Sequence, residues 1–324
     1  MKLGLHAYSL LLAGGLREYQ PVGRGELTAE QLLDKAAQLK CHAVQLARKQ
    51  LGDRDPVALA RIRSKAEELG ILLHVSTNLL DGEHLVEMIH AAYNMGAPQV
   101  TVNISRLKGN VQIRQRALER LLLSLDVAIN RAKRYRIVLA FENGRHTAAV
   151  DLAALIQAAE SEWVAACFDM GNPLTVPEDP IASAKTLAPF CRSIHLKDVQ
   201  VYRTREGALL LNCPVGDGVL PVTDVLRALK QAEVPIFLQT GAERVVVPVL
   251  DDTFLQEYPR ITARALASLL RQGAMPGPDT DWSFPHERKA VEREILKWED
   301  DRLKRSMKQA HKILGTESLT LPMG

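Results

Sequence analysis

A chain of 324 residues with 47% hydrophobic and 24% charged residues has the composition of a folded globular protein and lacks the low-hydrophobicity signature of disorder. Its formal charge of +3 is small for that length and spread along the chain, so nothing electrostatic points to nucleic acid or to an anionic membrane as a partner. No run approaches the ~18 apolar residues of a membrane span, and Met1-Lys2-Leu3-Gly4 enters a strand with no signal-like stretch, which leaves the cytoplasm as the expected compartment.

In chain order, a predicted strand at 2–6 is followed by a helical pattern at 28–39, a strand at 43–46 and a helix at 57–69. Next come a strand at 72–75, a helix at 84–95, a strand at 99–104 and a helix at 114–134. A strand at 137–142, a helix at 152–159 and strands at 165–168 and 193–196 follow, then a helix at 222–232 and a strand at 236–239. Each strand reads as an apolar run buried on both faces rather than as a strict alternation. Thr28 and Asp55 are the expected helix caps, and Gly70 and Gly96 the expected stops. Eight strands with helices between them point to a closed (β/α)8 TIM barrel over residues 1–272, because an open doubly wound sheet usually has fewer strands and a Gly-rich first turn, and no GxGxxG follows the first strand. Cys41, Cys167, Cys191 and Cys213 stand far apart with no CxxC pair and are expected to be reduced core thiols. Residues 273–324 read as an appendage. Gly273, Pro276, Gly277 and Pro278 make a linker, and a charged helix from about Glu287 to Leu314 carries an apolar stripe, Val291, Ile295, Trp298 and Leu303, suited to lying across the barrel or a neighbouring subunit.

Active sites of such barrels collect at the carboxyl ends of the strands. Polar residues gather there: His6, Tyr8 and Ser9 after the first strand, His74 to Asn78 at the third, and Asn103 at the fourth. Glu142, Asn143, Arg145 and His146 end the fifth, and Asp169 and Asn172 the sixth. His195, Lys197 and Asp198 end the seventh, with Gln239 and Glu243 at the eighth. Burying so many polar groups at one mouth costs several kcal/mol each unless something pairs with them, and a divalent cation is the economical partner. Glu142, Asp169 and His195 offer two carboxylates and an imidazole, a set suited to Mn²⁺, Co²⁺ or Mg²⁺, with Zn²⁺ also admitted. Each has a plainer explanation alone: Glu142 pairing with Arg145, Asp169 capping the next segment, His195 hydrogen-bonding within the core.

The segments Leu139-Ala-Phe-Glu142-Asn143, Cys167-Phe-Asp169-Met-Gly-Asn172, Ser193-Ile-His195-Leu-Lys197-Asp198 and Pro214-Val-Gly216-Asp-Gly218 resemble the xylose isomerase-like barrel superfamily. That group includes tagatose and psicose epimerases, inosose dehydratases and type-II apurinic endonucleases. The resemblance implies one divalent metal on Glu142, Asp169 and His195, with a fourth ligand, usually Glu, at the end of the last strand. Here that place holds Gln239, whose carbonyl can bind metal but which cannot serve as the second base of a two-base epimerase. Glu243 is the alternative if it reaches in from the loop. A family position that is often His is Asn172 here, and the extra ligands of a three-metal endonuclease are lacking.

The resemblance further implies a carbohydrate enzyme working through a metal-bound enediolate. With one clear carboxylate base, decarboxylation of a 3-oxo sugar acid, of the 3-oxo-isoapionate type, is the leading expectation. A ketose isomerase or 3-epimerase, a β-eliminating 3-oxo-C-glycoside lyase with a partner subunit, and a non-catalytic sugar-binding barrel are the alternatives. In the leading reading Glu142 is catalytic as well as a ligand, and His146 or Lys197 protonates carbon or anchors hydroxyls. His6, Tyr8, Asn103, Asn143 and Asn172 line the sugar, and Arg145 clamps a carboxylate. Plainer roles stand beside these: His6 and Tyr8 filling a barrel layer, Lys197 pairing with Asp198, Arg145 capping a helix. Gly216 and Gly218 read as turn residues or as an anion cradle. A homo-oligomer is the family-level expectation.

Overall fold

The computed structural model describes residues 2–15, 27–52, 54–104, 111–229, 234–276, 281–288 and 290–315. All eight expected strands form: β1 (Leu3–His6), β2 (Ala43–Ala47), β3 (Leu72–Thr77), β4 (Gln99–Asn103), β5 (Val138–Glu142), β6 (Val164–Asp169), β7 (Cys191–Leu196) and, last in the barrel, β10 (Ile236–Leu238). They pair in parallel and close in the order β1-β10-β7-β6-β5-β4-β3-β2, a (β/α)8 TIM barrel.

The strands are buried on both faces as expected, but they are not uniformly apolar. Successive side chains of a strand point to opposite faces, and here most large apolar residues take one parity, while small or polar residues, joined by Phe237, take the other. Leu3, Leu5, Val44, Leu46, Leu73, Val75, Val102, Phe141, Phe168 and Leu196 belong to the main core, which lies between the barrel and its helices. Gly4, Gln45, His74, Thr101, Cys167, Ser193, His195 and Phe237 take the opposite parity and face into the barrel. A Cβ on Gly4 would meet Phe237 Cδ1 and Ala43 O at 2.8 Å, His74 packs on the Phe237 ring at 5.0 Å, and Gln45 reaches Thr101.

The connecting helices are α1 (Ala29–Gln38), α2 (Pro56–Glu68), α3 (Gly82–Met95), α4 (Val111–Tyr135), α5 (Ala149–Ala158), α6 (Pro180–Leu187) and α7 (Val222–Ala228). Thr28 and Asp55 cap α1 and α2, Thr28 in a reciprocal capping box with Gln31, and Gly70 and Gly96 follow α2 and α3 with positive φ. The last part of the expected helix 222–232 and Gly277 and Pro278 of the expected linker lie outside the described residues. Beyond the expected elements stands a small antiparallel sheet, β11-β9-β8, made of β8 (Asp198–Arg203), β9 (Ala208–Cys213) and β11 (Arg244–Val247). It projects from the mouth, because β8 and β9 follow β7 and β11 follows β10. Two further helices, α8 (Asp252–Glu257) and α9 (Ala263–Gln272), precede the C-terminal segment. All four cysteines are buried and unpaired, and no helix among the described residues is long and apolar enough to cross a membrane.

The charged C-terminal helix, α10 (Glu292–Leu314), packs on this chain's own barrel. Its buried face runs Ile295, Glu299, Leu303, Ser306, Met307, Ala310 and His311, while Val291, expected in the apolar stripe, caps the helix and is 63% exposed. Near the mouth, Glu299 accepts hydrogen bonds from Leu12 N at 2.8 Å and Ala13 N at 3.0 Å. Arg302 donates to Asn212 O at 2.9 Å and Thr240 O at 3.2 Å. At the far end of the barrel, Met307 meets Cys41 and His311 meets Leu39 O. The helix thus ties the loops after β1 and β10 together.

Burial pushes the Glu299 carboxyl up to about 7 against the opposing pull of the Leu12 and Ala13 amides. The folded chain therefore holds a proton that the unfolded chain has released, so this contribution to stability is full below the unfolded value near 4.5 and is lost as pH rises through about 7. Denaturant titrations of wild type and Glu299→Gln at pH 5 and pH 8 should show the variant gaining, relative to wild type, up to about 3 kcal/mol at the higher pH. Parallel pH profiles would remove Glu299 as the source.

Candidate metal centre

Strand register brings the three expected ligands together. Asp169 of β6 and His195 of β7 are direct cross-strand partners. Glu142 of β5 lies opposite Cys167, which shares the inward face of β6 with Asp169. Glu142, Asp169 and His195 are all buried, and one ligand atom from each lies within 4.8 Å of the others. His195 Nδ1 is 3.6 Å from Glu142 Oε1 and 3.9 Å from Asp169 Oδ2.

Each ligand is oriented by neighbours. Asp169 divides its oxygens: Oδ1 accepts from Gly171 N at 2.8 Å and Asn172 N at 3.0 Å, fastening the turn after β6, while Oδ2 faces Lys197 Nζ at 2.9 Å in an ion pair that falls short of hydrogen-bond geometry. The capping and ligand roles considered for Asp169 thus fall to different atoms. Asn172 Nδ2 donates to Glu142 Oε1 at 3.2 Å, and Asn103 also hydrogen-bonds the Glu142 carboxylate. Asn143 clamps the Asp169 backbone from both sides, donating to its carbonyl and accepting from its N–H at 2.6 Å. The Lys197 stem needs the glycine at 171, where a Cβ would fall 2.6 Å from Lys197 Cδ. His195 Nε2 meets Gln45 Oε1 at 2.7 Å, and the His6 ring stands edge-on to His195 with centroids 4.8 Å apart. His6 Nδ1 accepts from Tyr8 N, and Tyr8 Oη accepts from Asn78.

Electrostatics follow from this packing. Burial alone would raise the Glu142 carboxyl, but the charges of His195 and Lys197 and the Asn103 hydrogen bond outweigh it and hold Glu142 at about 2. Burial would lower His195, yet Cys167 and the Glu142 carboxylate beside it hold the imidazole well above its usual value. His74, deeper in the barrel, is driven down to about 3 by burial and then by the charge of His195.

Other predicted residues have different partners. Arg145 donates to Glu243 Oε1 at 2.9 Å instead of capping a helix or pairing with Glu142. Glu243 also accepts from Asn212 Nδ2 at 3.3 Å. His146 Nδ1 is 3.2 Å from Tyr258 Oη, just after α8. Lys197 pairs with Asp169 and not with Asp198, whose carboxylate accepts from the N–H groups of Val199, Gly216, Gly218 and Leu220. The amides of Gly216 and Gly218 are therefore turned on the protein's own carboxylate. Gln239 is buried, and its Oε1 has no hydrogen-bond partner among the described residues, as is also true of Asp169 Oδ2 and His195 Nδ1. A carboxylate oxygen, an amide oxygen and an imidazole nitrogen lacking such partners together fit a cation. Residues that the strand-end rule does not reach are Gln45, in the middle of β2, and Asn212 on β9. The one sign of Gln45 is an amide at an inward position of an apolar strand.

Comparison with known proteins agrees with this architecture. A D-psicose 3-epimerase from Clostridium cellulolyticum H10, solved with D-tagatose, superposes with a TM-score of 0.59 at 11% identity, covering 94% of this chain and 99% of that one. A xylose isomerase domain protein from Planctomyces limnophilus gives 0.57 at 17% identity over 73% of this chain and 88% of that one. In sequence, the chain is 27% identical over 234 residues to the uncharacterized protein YihM of Escherichia coli, covering 71% of this chain and 68% of that protein. It is 25% identical over 231 residues to the 3-oxo-isoapionate decarboxylase of Pectobacterium atrosepticum, covering 68% and 78% respectively. The family described as xylose isomerase-like TIM barrel matches residues 33–240, more than half of the chain and all three candidate ligands, and the protein belongs to that family.

Proposed function

We propose that this protein is a divalent-metal-dependent enzyme that decarboxylates a 3-oxo sugar acid. The observation that carries the reading is the shortage of bases at the mouth. The end of the last barrel strand offers an amide, Gln239, in place of a carboxylate, and the nearby Glu243 is held by Arg145 and Asn212. Of the two carboxylates at the cluster, Asp169 is engaged by the Gly171 and Asn172 amides and by Lys197, which leaves Glu142, among the described residues, as the one suited to moving a proton at carbon. Epimerisation by two opposed bases asks for more than this. Loss of CO₂ from a 3-oxo acid asks for less: the bond between the carboxyl carbon and its neighbour breaks, the electron pair passes to the 3-oxo oxygen, and a proton is then delivered to carbon. The similarity to a 3-oxo-isoapionate decarboxylase supports the same direction.

Glu142, Asp169 and His195, with the carbonyl oxygen of Gln239, would hold the cation, whose contribution is Lewis-acid stabilisation of negative charge on a substrate oxygen. Mn²⁺, Mg²⁺ or Co²⁺ suits this oxygen-rich set, and Zn²⁺ is compatible with it. Lys197, paired with Asp169 Oδ2 at 2.9 Å, is the ammonium closest to the chemistry and our choice of proton donor. His146 is committed to Tyr258 and takes the lesser role of bounding the pocket. Asn103, Asn143, Asn172, His6 and Tyr8 supply hydrogen bonds to hydroxyls or fix the ligands that do. Arg145, partly exposed and paired with Glu243, would take a substrate carboxylate by sharing its fork between that carboxylate and Glu243.

Incubation in D₂O with freshly prepared 3-oxo sugar acids and with a panel of ketoses, followed by proton NMR and CO₂ evolution, tests the reading. Metal-dependent CO₂ release is expected, whereas deuterium entering a ketose without loss of carbon would sink it in favour of an isomerase or epimerase. Chelation should abolish turnover and Mn²⁺ restore it. Glu142→Gln and Asp169→Asn should each weaken Mn²⁺ binding by more than roughly 100-fold, beyond the range typical of residues outside the coordination shell. Arg145→Met should raise KM for the acid roughly 10- to 100-fold, the worth of a hydrogen bond between charged groups, with a smaller change in kcat.

A further inference from the structure

Gln45 and His195 are both fully buried, on strands that do not neighbour each other in the barrel. Gln45 Oε1 is 2.7 Å from His195 Nε2, and its Nε2 donates to Thr101 Oγ1 at 2.6 Å. Thr101 Oγ1 also accepts from Gln99 Nε2 at 3.0 Å, and that same nitrogen donates to Ser193 Oγ at 2.7 Å. The ladder starts at His195 on β7, crosses the barrel to β2, returns through β4 and ends at Ser193, two residues before His195 on the same strand.

An amide oxygen only accepts, so in this arrangement the proton of the imidazole sits on Nε2. When a cation takes the place of a ring proton, the proton that stays is the one held on Nε2, and the atom given over is Nδ1, which faces Glu142 and Asp169. Turned the other way, the amide would set its NH₂ against Nε2, force the ring proton onto Nδ1 and close that atom to a cation. A carboxylate at position 45 would also accept from Nε2, but it would add a third negative charge beside Glu142 and Asp169. The neutral amide orients the ring without changing the charge of the site.

We propose that Gln45 is a positioning residue that selects the Nε2-protonated form of His195 and thereby makes Nδ1 a metal-binding atom. The inference rests on the metal reading given under the proposed function and extends it to a residue that touches neither cation nor substrate. The test pairs Gln45→Met, which keeps the volume and loses the acceptor, with Gln45→Glu, which keeps the acceptor. Two quantities are read: the Mn²⁺ dissociation constant, from free Mn²⁺ by electron paramagnetic resonance, and the protonation of each ring nitrogen of His195 by ¹⁵N NMR of chelator-stripped protein at a pH where the ring carries a single proton. Wild type should show a slowly exchanging proton on Nε2. Gln45→Met should lose that protection and weaken Mn²⁺ binding roughly 10- to 100-fold, and Gln45→Glu should recover both to within a few fold. A merely space-filling Gln45 predicts no recovery specific to the acceptor. An unprotonated Nε2 in wild type, which needs no variant to observe, overturns the proposal, as does a Gln45→Met protein that binds Mn²⁺ within threefold of wild type. Wild type that binds no Mn²⁺ while Nε2 keeps its proton ends the metal reading and leaves the assignment of the ring proton to Gln45 standing.

Discussion

Eight parallel strands closed into a barrel must put every second side chain into an interior shielded from water, and in this protein that interior is populated by amides, hydroxyls, imidazoles and carboxylates. Unpartnered, such groups oppose folding by several kcal/mol each. Most of the arrangement around the mouth answers that one constraint. Gln45, Thr101, Gln99 and Ser193 satisfy one another, Asn143 satisfies the backbone of Asp169, and Asn172 and Asn103 satisfy Glu142. Asp169 Oδ2, which meets the Lys197 ammonium, and His195 Nδ1 and Gln239 Oε1, which have no hydrogen-bond partner among the described residues, do not follow the pattern. Their concentration at the carboxyl ends of the strands is the physical argument for a cation there, independent of family.

The second organising element is α10. Its carboxylate at Glu299 holds the turn that follows β1, and its guanidinium at Arg302 holds carbonyls of β9 and of the turn that follows β10. Leu12, Ala242, Phe284 and Ile295 form an apolar cluster of their own in the same place. The segments that carry His6 and Tyr8 on one side and Gln239 and Glu243 on the other are therefore braced by a helix far away in sequence. A region that reads as an appendage contributes directly to the shape of the mouth.

The barrel was legible because strand-length apolar runs alternate with capped helical patterns, and the candidate cluster was legible because charge at the end of an apolar strand is costly without a purpose. The parity of the strands was hidden by their alanines, cysteines and glycines, which look apolar yet line the interior, so Gln45 and Gln99 stood among them without an evident partner. The sheet of β8, β9 and β11 was not visible because its edge strand, Arg244–Val247, follows β10 and meets β9 only in three dimensions. The buried face of α10 escaped for a related reason: Glu299, Ser306 and His311 are polar letters that pack inward on specific backbone partners. Pattern reading sees hydrophobicity, and these positions are decided by hydrogen bonds between distant segments.

The turn after β9 carries a consequence for ligand choice. Gly216, with φ near +93°, and Gly218, where a Cβ would fall 2.1 Å from Asp198 Oδ1, build a small cup of N–H groups of the sort that binds anions. The cup is filled by Asp198, a ligand attached to the same chain and hence present at an effective concentration that no free anion in solution can match. A free anion would have to displace this tethered competitor before gaining any hydrogen bond from these amides. The loop thus keeps its amides occupied without placing any repulsive charge in solvent.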